Sequence, residues 1–173
     1  SITGGTTVDV GAVINDAGAQ SVDITLTATA NDVTSGVLTA AGGDISVDAG
    51  GAIVGAADML TTGTGTVNLV AGGAIGAGAV STAEGALDVA GLGAVTLTSA
   101  ISTDGNVDIS GDSISATSVT SDNDGTVTLL ATNDIAVATA TSNDGDLSIT
   151  AGGDVSSTAT VSTSGSGNVE VDA

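Results

Sequence analysis

A glycine recurs every 20 residues through the middle of the chain, at Gly65, Gly85, Gly105, Gly125 and Gly145. A fixed interval of this size is the mark of a stacked repeat, and few folds demand it. Aligning on that glycine brings other columns into line. Two residues on stand Val67, Leu87, Val107, Val127 and Leu147, and four on stand Leu69, Val89, Ile109, Leu129 and Ile149. Ten residues on stand Ile75, Val95, Ile135 and Val155. Ile114 comes one residue early, and the longer stretch Ser121-Asp122-Asn123-Asp124-Gly125 restores the register. About fifteen residues on stand Val80, Ala100, Val119 and Ala140. The working consensus is G-x-V-x-L-x-A-G-G-D-I-x-x-x-x-V-S-T-D-G.

The ends follow it less closely. Gly43, Ile45 and Val47 fit, but the next repeat is two residues longer. Val22 and Ile24 are assigned to the repeat before, and Val8 and Val10 to an irregular first one. At the far end the pattern resumes two residues late, at Gly167.

Each repeat alternates apolar and polar residues, which is the signature of a half-buried strand. A unit of 20 residues cannot bury its own apolar side, but stacked units can bury each other's. The expected fold is therefore all-β: a single parallel β-helix (β-solenoid) of right-angled or triangular section, with about 20 residues per coil and roughly eight coils. At about 4.8 Å per coil the rod is about 40 Å long. Residues 1–173 form one repetitive domain, regular over about 43–165, with irregular end coils at 1–42 and 166–173. The rival is an antiparallel meander, since Asn-Asp-Gly and Asp-Gly are hairpin signals. Hairpins do not require a strict recurrence with aligned columns. An immunoglobulin-like sandwich would want longer strands and a core Trp.

Composition agrees. The chain has no Phe, Tyr, Trp, Cys, Pro or His, one methionine (Met59) and 27 glycines. Its core must be thin and built of Ala, Val, Ile and Leu. With 41% hydrophobic residues and positive mean hydropathy, disorder is rejected. Twenty acidic residues and no Lys or Arg give a formal net charge of −20. Nothing in the side chains neutralises phosphate, so nucleic acid is excluded as a direct partner, and an anionic membrane likewise. There is no membrane-spanning run, and we expect a protein that does not span membranes. Chain ends in mid-pattern suggest a mature piece or a segment of something longer. Trypsin and chymotrypsin find no preferred residue to cut after, which suits an extracellular or cell-surface location.

The stretches GDLSITAGGDV, GNVDISGDSI and GTVTLLATNDI resemble the repeats of filamentous haemagglutinin-type adhesins. These are secreted bacterial parallel β-helices with repeats near 20 residues and a G-x-L-x-L-x-A-x-x-x-I pattern. The resemblance covers Gly43 to Asp154 and implies an extracellular structural or adhesive rod, a stalk segment that meets a host or neighbouring cell surface. The chain departs from the family in lacking Lys, Arg and aromatic residues entirely.

Catalysis is not expected. A serine nucleophile lacks a His or Lys base, and a zinc site lacks His or Cys. Carboxylate chemistry of the glycosidase kind would lack basic or aromatic residues to hold a sugar. The candidate site is a ladder of acids ahead of the corner glycines: Glu84, Asp104, Asp124 and Asp144, with Asp122, Asn123, Asn143 and Asp146 beside them. Carboxylates about 4.8 Å apart repel by about 0.9 kcal/mol per pair in bulk water. Calcium, which takes 6–8 oxygens, would relieve that, and Asp104, Asp122, Asp124 and Asp144 are its candidate ligands. Against this stands a plain solvated corner, where Asp and Asn are good turn residues. A second, weaker ladder is Asp134 and Asp154, with Asp44 loosely aligned.

Hydroxyl pairs stack beside the corner: Ser81-Thr82, Ser102-Thr103, Thr120-Ser121, Thr141-Ser142 and Ser162-Thr163. They suggest either an ice- or glycan-binding face or simple hydroxyl ladders. The functional expectation is a structural rod: an adhesin stalk segment or a filament subunit that self-associates head-to-tail or continues as a longer chain. The alternative is a soluble solenoid that binds ice, glycan or calcium.

Overall fold

The computed structural model describes residues 1–15 and 21–173. The irregular first coil therefore includes residues 16–20, Asp16 among them, that lie outside the described part. Among the described residues there are 20 strands and no helix. The strands form one nine-stranded and one eleven-stranded sheet, parallel in every pairing. The chain is a β-solenoid of about eight turns with roughly 21 residues per turn.

Each coil presents three faces. The first is a five-residue strand such as Val67–Ala71 or Leu147–Ala151, and these stack into the nine-stranded sheet. The second and third begin as separate strands, Val33–Ser35 and Leu38–Ala41 in one coil, Ile53–Ala56 and Met59–Thr62 in the next. From Ile75–Thr82 onward they fuse into one long strand per coil, bent in the middle. The pairing shows the bend. Ala77 pairs with Leu97 and Leu97 with Ala116, Ala79 pairs with Ser99 and Ser99 with Ser118, and the residue between is skipped each time. The inward alternation changes phase there, so Val95 and Leu97 point in before the bend, and Ala100 and Ser102 after it.

The columns expected to line the core do so. Val67, Leu87, Val107, Val127 and Leu147 are at most 1% exposed, and Val80, Ala100, Val119 and Ala140 are fully buried. Ile114 sits in register with Val95 and Ile135, so the early residue is absorbed without breaking the ladder. The single methionine, Met59, fills the third-face column between Leu38 and Val80. Full burial of one such side chain is worth about 1.5–3 kcal/mol, and each is covered only because a coil lies above and below.

The irregular start differs from the sequence reading. Ile24 pairs with Ile45 and Leu26 with Val47, so the first-face columns of that coil are Ile24 and Leu26. Val22 lies outside them and is 48% exposed. Val8 and Val10 belong to the second face, opposite Val33 and Ser35, while Ile2 supplies the first face opposite Leu26. The period-two pattern is the same on every face, so a short irregular coil offers no phase marker until its pairing is known.

Candidate functional site: the corners between faces

The recurring glycine is required by stacking. A Cβ built on Gly85 would meet the Gly65 carbonyl oxygen at 2.1 Å, and on Gly105, Gly125 and Gly145 the glycine oxygen below at 2.2–2.3 Å. The corners of successive coils are too close for any side chain. The glycine oxygens turn toward the inside and need donors there. Buried hydroxyls supply them. Thr61 Oγ1 donates to Gly65 O at 2.7 Å and Thr82 Oγ1 to Gly85 O at 2.6 Å, within one coil. Ser102, Ser121 and Ser142 instead donate across coils, to Gly85 O, Gly105 O and Gly125 O at 3.0, 2.8 and 2.7 Å. Thr163 repeats the local form with Gly167.

The hydroxyl pairs therefore divide. Thr82, Ser102, Ser121, Ser142 and Thr163 are the inward partners, and Ser81, Thr120, Thr141 and Ser162 point out. In one coil the pair is shifted by a residue: Ile101, not Thr103, stands beside Ser102 in the ladder. The signal for the inward role was present in the sequence, a Ser or Thr three or four residues before each corner glycine.

The acidic corner is outside and wet. Glu84, Asp104, Asn123, Asp124, Asn143 and Asp144 are all exposed. The four candidate calcium ligands do not share one arrangement. Asp104 Oδ1 accepts a hydrogen bond from Asn123 Nδ2 of the next coil. Asp122 Oδ1 accepts one from Asn143 Nδ2 at 3.4 Å, and Asn143 Oδ1 accepts one from Ser164 Oγ at 2.5 Å. Amides thus interleave with the carboxylates along the stack. Among the described residues the Asp124 and Asp144 carboxylates make no hydrogen bond. Asn123 and Asp144 have left-handed backbones, with φ of 58° and 61°, which Asn and Asp tolerate well. Among the described residues no group of three or more carboxylates comes close enough to hold a metal ion.

Other acids hold backbone. At several coil starts the residue just before a strand donates its N–H to an Asp or Asn side chain of the coil below. Asp134 Oδ1 accepts from Asp154 N at 2.9 Å, and Asp32 Oδ1 from Ala52 N at 2.8 Å, both at the start of the second face. At the start of the first face Asp23 accepts from Asp44 N, Asp44 from Thr66 N and Asp146 from Asn168 N, at 3.0, 2.7 and 2.9 Å. Asn106 does the same for Thr126 N at 3.0 Å. Asp58 clasps Ala79 N at 2.9 Å at the bend. Asp134 and Asp154 therefore share a column, as expected, but Asp44 belongs to a different corner. The period-two pattern on both faces made the two corners look alike.

On the first face Asp88 stands opposite Asp108. Partial burial raises its pKa, and the negative charge of Asp108 adds to the effect. No helix is long and apolar enough to cross a membrane among the described residues. Comparison with protein-family models, curated proteins and solved structures found no match.

Proposed function

We propose that this chain is a non-catalytic structural rod, a stalk segment of a filamentous haemagglutinin-type adhesin or a unit of an extracellular filament. The observation that carries this reading is the continuous parallel stack: Leu69, Val89, Ile109 and Leu129 form one inward column, each at most 1% exposed because a coil lies above and below. A parallel sheet of this kind accepts further strands along the same axis. Further coils, from the same chain or from a second copy, extend such a stack, and repetition of that contact gives a rod without closure.

The repeated G-x-V-x-L-x-A pattern supports the adhesin comparison. An exterior without Lys, Arg or aromatic residues supports exposure to proteases outside the cell. The test is end-on association of the purified chain, followed by scattering. Replacing Ile2 and Val171 by Asp at the two ends shortens the particles to single segments. Particles that are already single segments before the change would overturn the filament form of the proposal.

A further inference from the structure

The most exposed large aliphatic side chain among the described residues is Leu92, at 81%. It stands just past the first-face strand Leu87–Gly91. Gly72, Gly91 and Gly111 surround it without side chains of their own, so a hollow opens on each side of it. One hollow is walled by Val70 and holds Asp48, and the other is walled by Leu130 and holds Asp112. Val70 and Leu130 are 40% and 51% exposed. Both belong to one outward column, Asp48, Val70, Ala90, Ser110 and Leu130, in which the short Ala90 and Ser110 form the floor. The two hollows make one apolar groove along the rod axis, with Leu92 at its middle and a carboxylate in each half.

We propose that this groove docks a basic segment of another protein, extended along the rod, with an aliphatic side chain against Leu92 and a Lys or Arg on each side of it. Charge complementarity selects the occupant. Asp48 and Asp112 line the groove, and Asp88 and Asp108, paired in the adjoining column, flank it. Burial first, and then the charge of Asp108, raises the pKa of Asp88, and the second cause is a negative field beside the groove. A second copy of the chain, at −20 and without Lys, Arg or His, brings no countercharge. Nucleic acid and an anionic membrane are repelled by the same field. Lys and Arg suit both halves, because their alkyl stems cover apolar surface while their heads stay with a carboxylate in water. Each exposed ion pair is worth little alone, so the aliphatic contact at Leu92 supplies the selectivity.

The dimensions set the pattern that is recognised. The groove crosses five neighbouring strands, from Ile45–Ala49 to Val127–Ala131, which is about 19 Å at about 4.8 Å per strand. An extended segment spans that with about six residues at about 3.3 Å each. Asp48 and Asp112 are three coils apart, about 14 Å along the axis. Two cations four residues apart in an extended chain are about 13 Å apart and point to the same side. An aliphatic residue midway between them points there too, and it meets Leu92. The pattern is therefore cation-x-aliphatic-x-cation.

The test is calorimetric titration of the native chain with the peptide acetyl-Lys-Ser-Leu-Ser-Lys-amide. An ionic strength of about 0.15 M, with a Debye length of about 8 Å, screens the remote charges. We expect saturable binding of one peptide per chain. Leu92→Ser, or serine in place of the leucine of the peptide, weakens binding about tenfold, the equivalent of about 1.4 kcal/mol. Asp48→Asn/Asp112→Asn weakens it by at least as much. Asp124→Asn/Asp144→Asn removes the same charge at another corner, and Leu60→Ser removes an exposed aliphatic from the other sheet. Both leave binding unchanged. No saturable binding to the native chain overturns the proposal. So does equal weakening by the two carboxylate pairs, which marks a non-specific polyanion, or native affinity in Leu92→Ser. A native chain that sediments as a dimer while Leu92→Ser sediments as a monomer puts a second copy in the groove and overturns it as well.

Discussion

Gly105 lies so close above Gly85 that a methyl group on it would sit 2.3 Å from the Gly85 carbonyl oxygen. The contact is backbone against backbone, and the oxygen is further held by the hydroxyl of Ser102. Neither partner can turn aside. Gly105→Ala is expected to cost about 1–3 kcal/mol or more, as overpacking of a rigid site does. Gly76 is the control, because its nearest atom is the Ile53 oxygen at 3.9 Å. Gly76→Ala is expected to be neutral or to stabilise by up to about 1 kcal/mol through the unfolded chain. Urea denaturation of the two variants measures the contrast.

The buried hydroxyls make a second prediction. Ser142 is fully buried, and its hydroxyl donates to Gly125 O at 2.7 Å. Ser142→Ala leaves that oxygen without this donor and is expected to cost about 1–3 kcal/mol. Ser142→Thr is expected to cost less, since Thr82 and Thr163 occupy the same column in other coils. The midpoint of urea unfolding reports both.

The acid clasps separate acceptor from charge. Asp134→Ala removes the acceptor of the Asp154 N–H and is expected to cost about 1 kcal/mol. Asp134→Asn keeps an acceptor oxygen and removes one charge from a chain of −20, so it is expected to be neutral or stabilising. If both variants fall equally in thermal melts, the carboxylate matters as a charge and the clasp is wrong.

Asp88 sets a pH dependence of unusual sign for a carboxylate. Burial, then the charge of Asp108, raises its pKa in the folded state. The folded protein thus holds this proton more tightly than the unfolded chain. The resulting stability is complete below the ordinary Asp range, near 3.9, and is lost as pH rises through the raised value. Asp88→Asn is expected to melt higher than the native chain at neutral pH, with the gap closing on acidification. A gap that widens toward low pH contradicts the assignment.

The core was legible in the sequence because stacking demands the same residue type in the same column. Val67 to Leu147 and Val80 to Ala140 could be aligned by counting. The first two coils were not legible, because Val8 and Val22 carry the alternation of a strand without saying which face they join. The corner was half legible. The glycine interval marked it, but the reason lies in backbones two coils share. The partner of Ser142 is Gly125, 17 residues away, and the partner of Asp134 is the Asp154 N–H, 20 residues away. Such contacts follow from coil length, and they become readable only once the coils are stacked. The carboxylates looked like two ladders in sequence. In space they are clasped to backbone at some corners and interleaved with Asn123 and Asn143 at another.

The central claim joins the parallel stack of coils to the proposal that further coils extend it into a rod. Cryo-electron microscopy of the purified chain at high concentration tests it most directly. The account predicts rods longer than the roughly 40 Å of one eight-coil segment, with axial order at about 4.8 Å, the spacing of strands in a sheet. Particles that stay at one segment's length, or rods whose strands run along the long axis and give no axial 4.8 Å order, would contradict it.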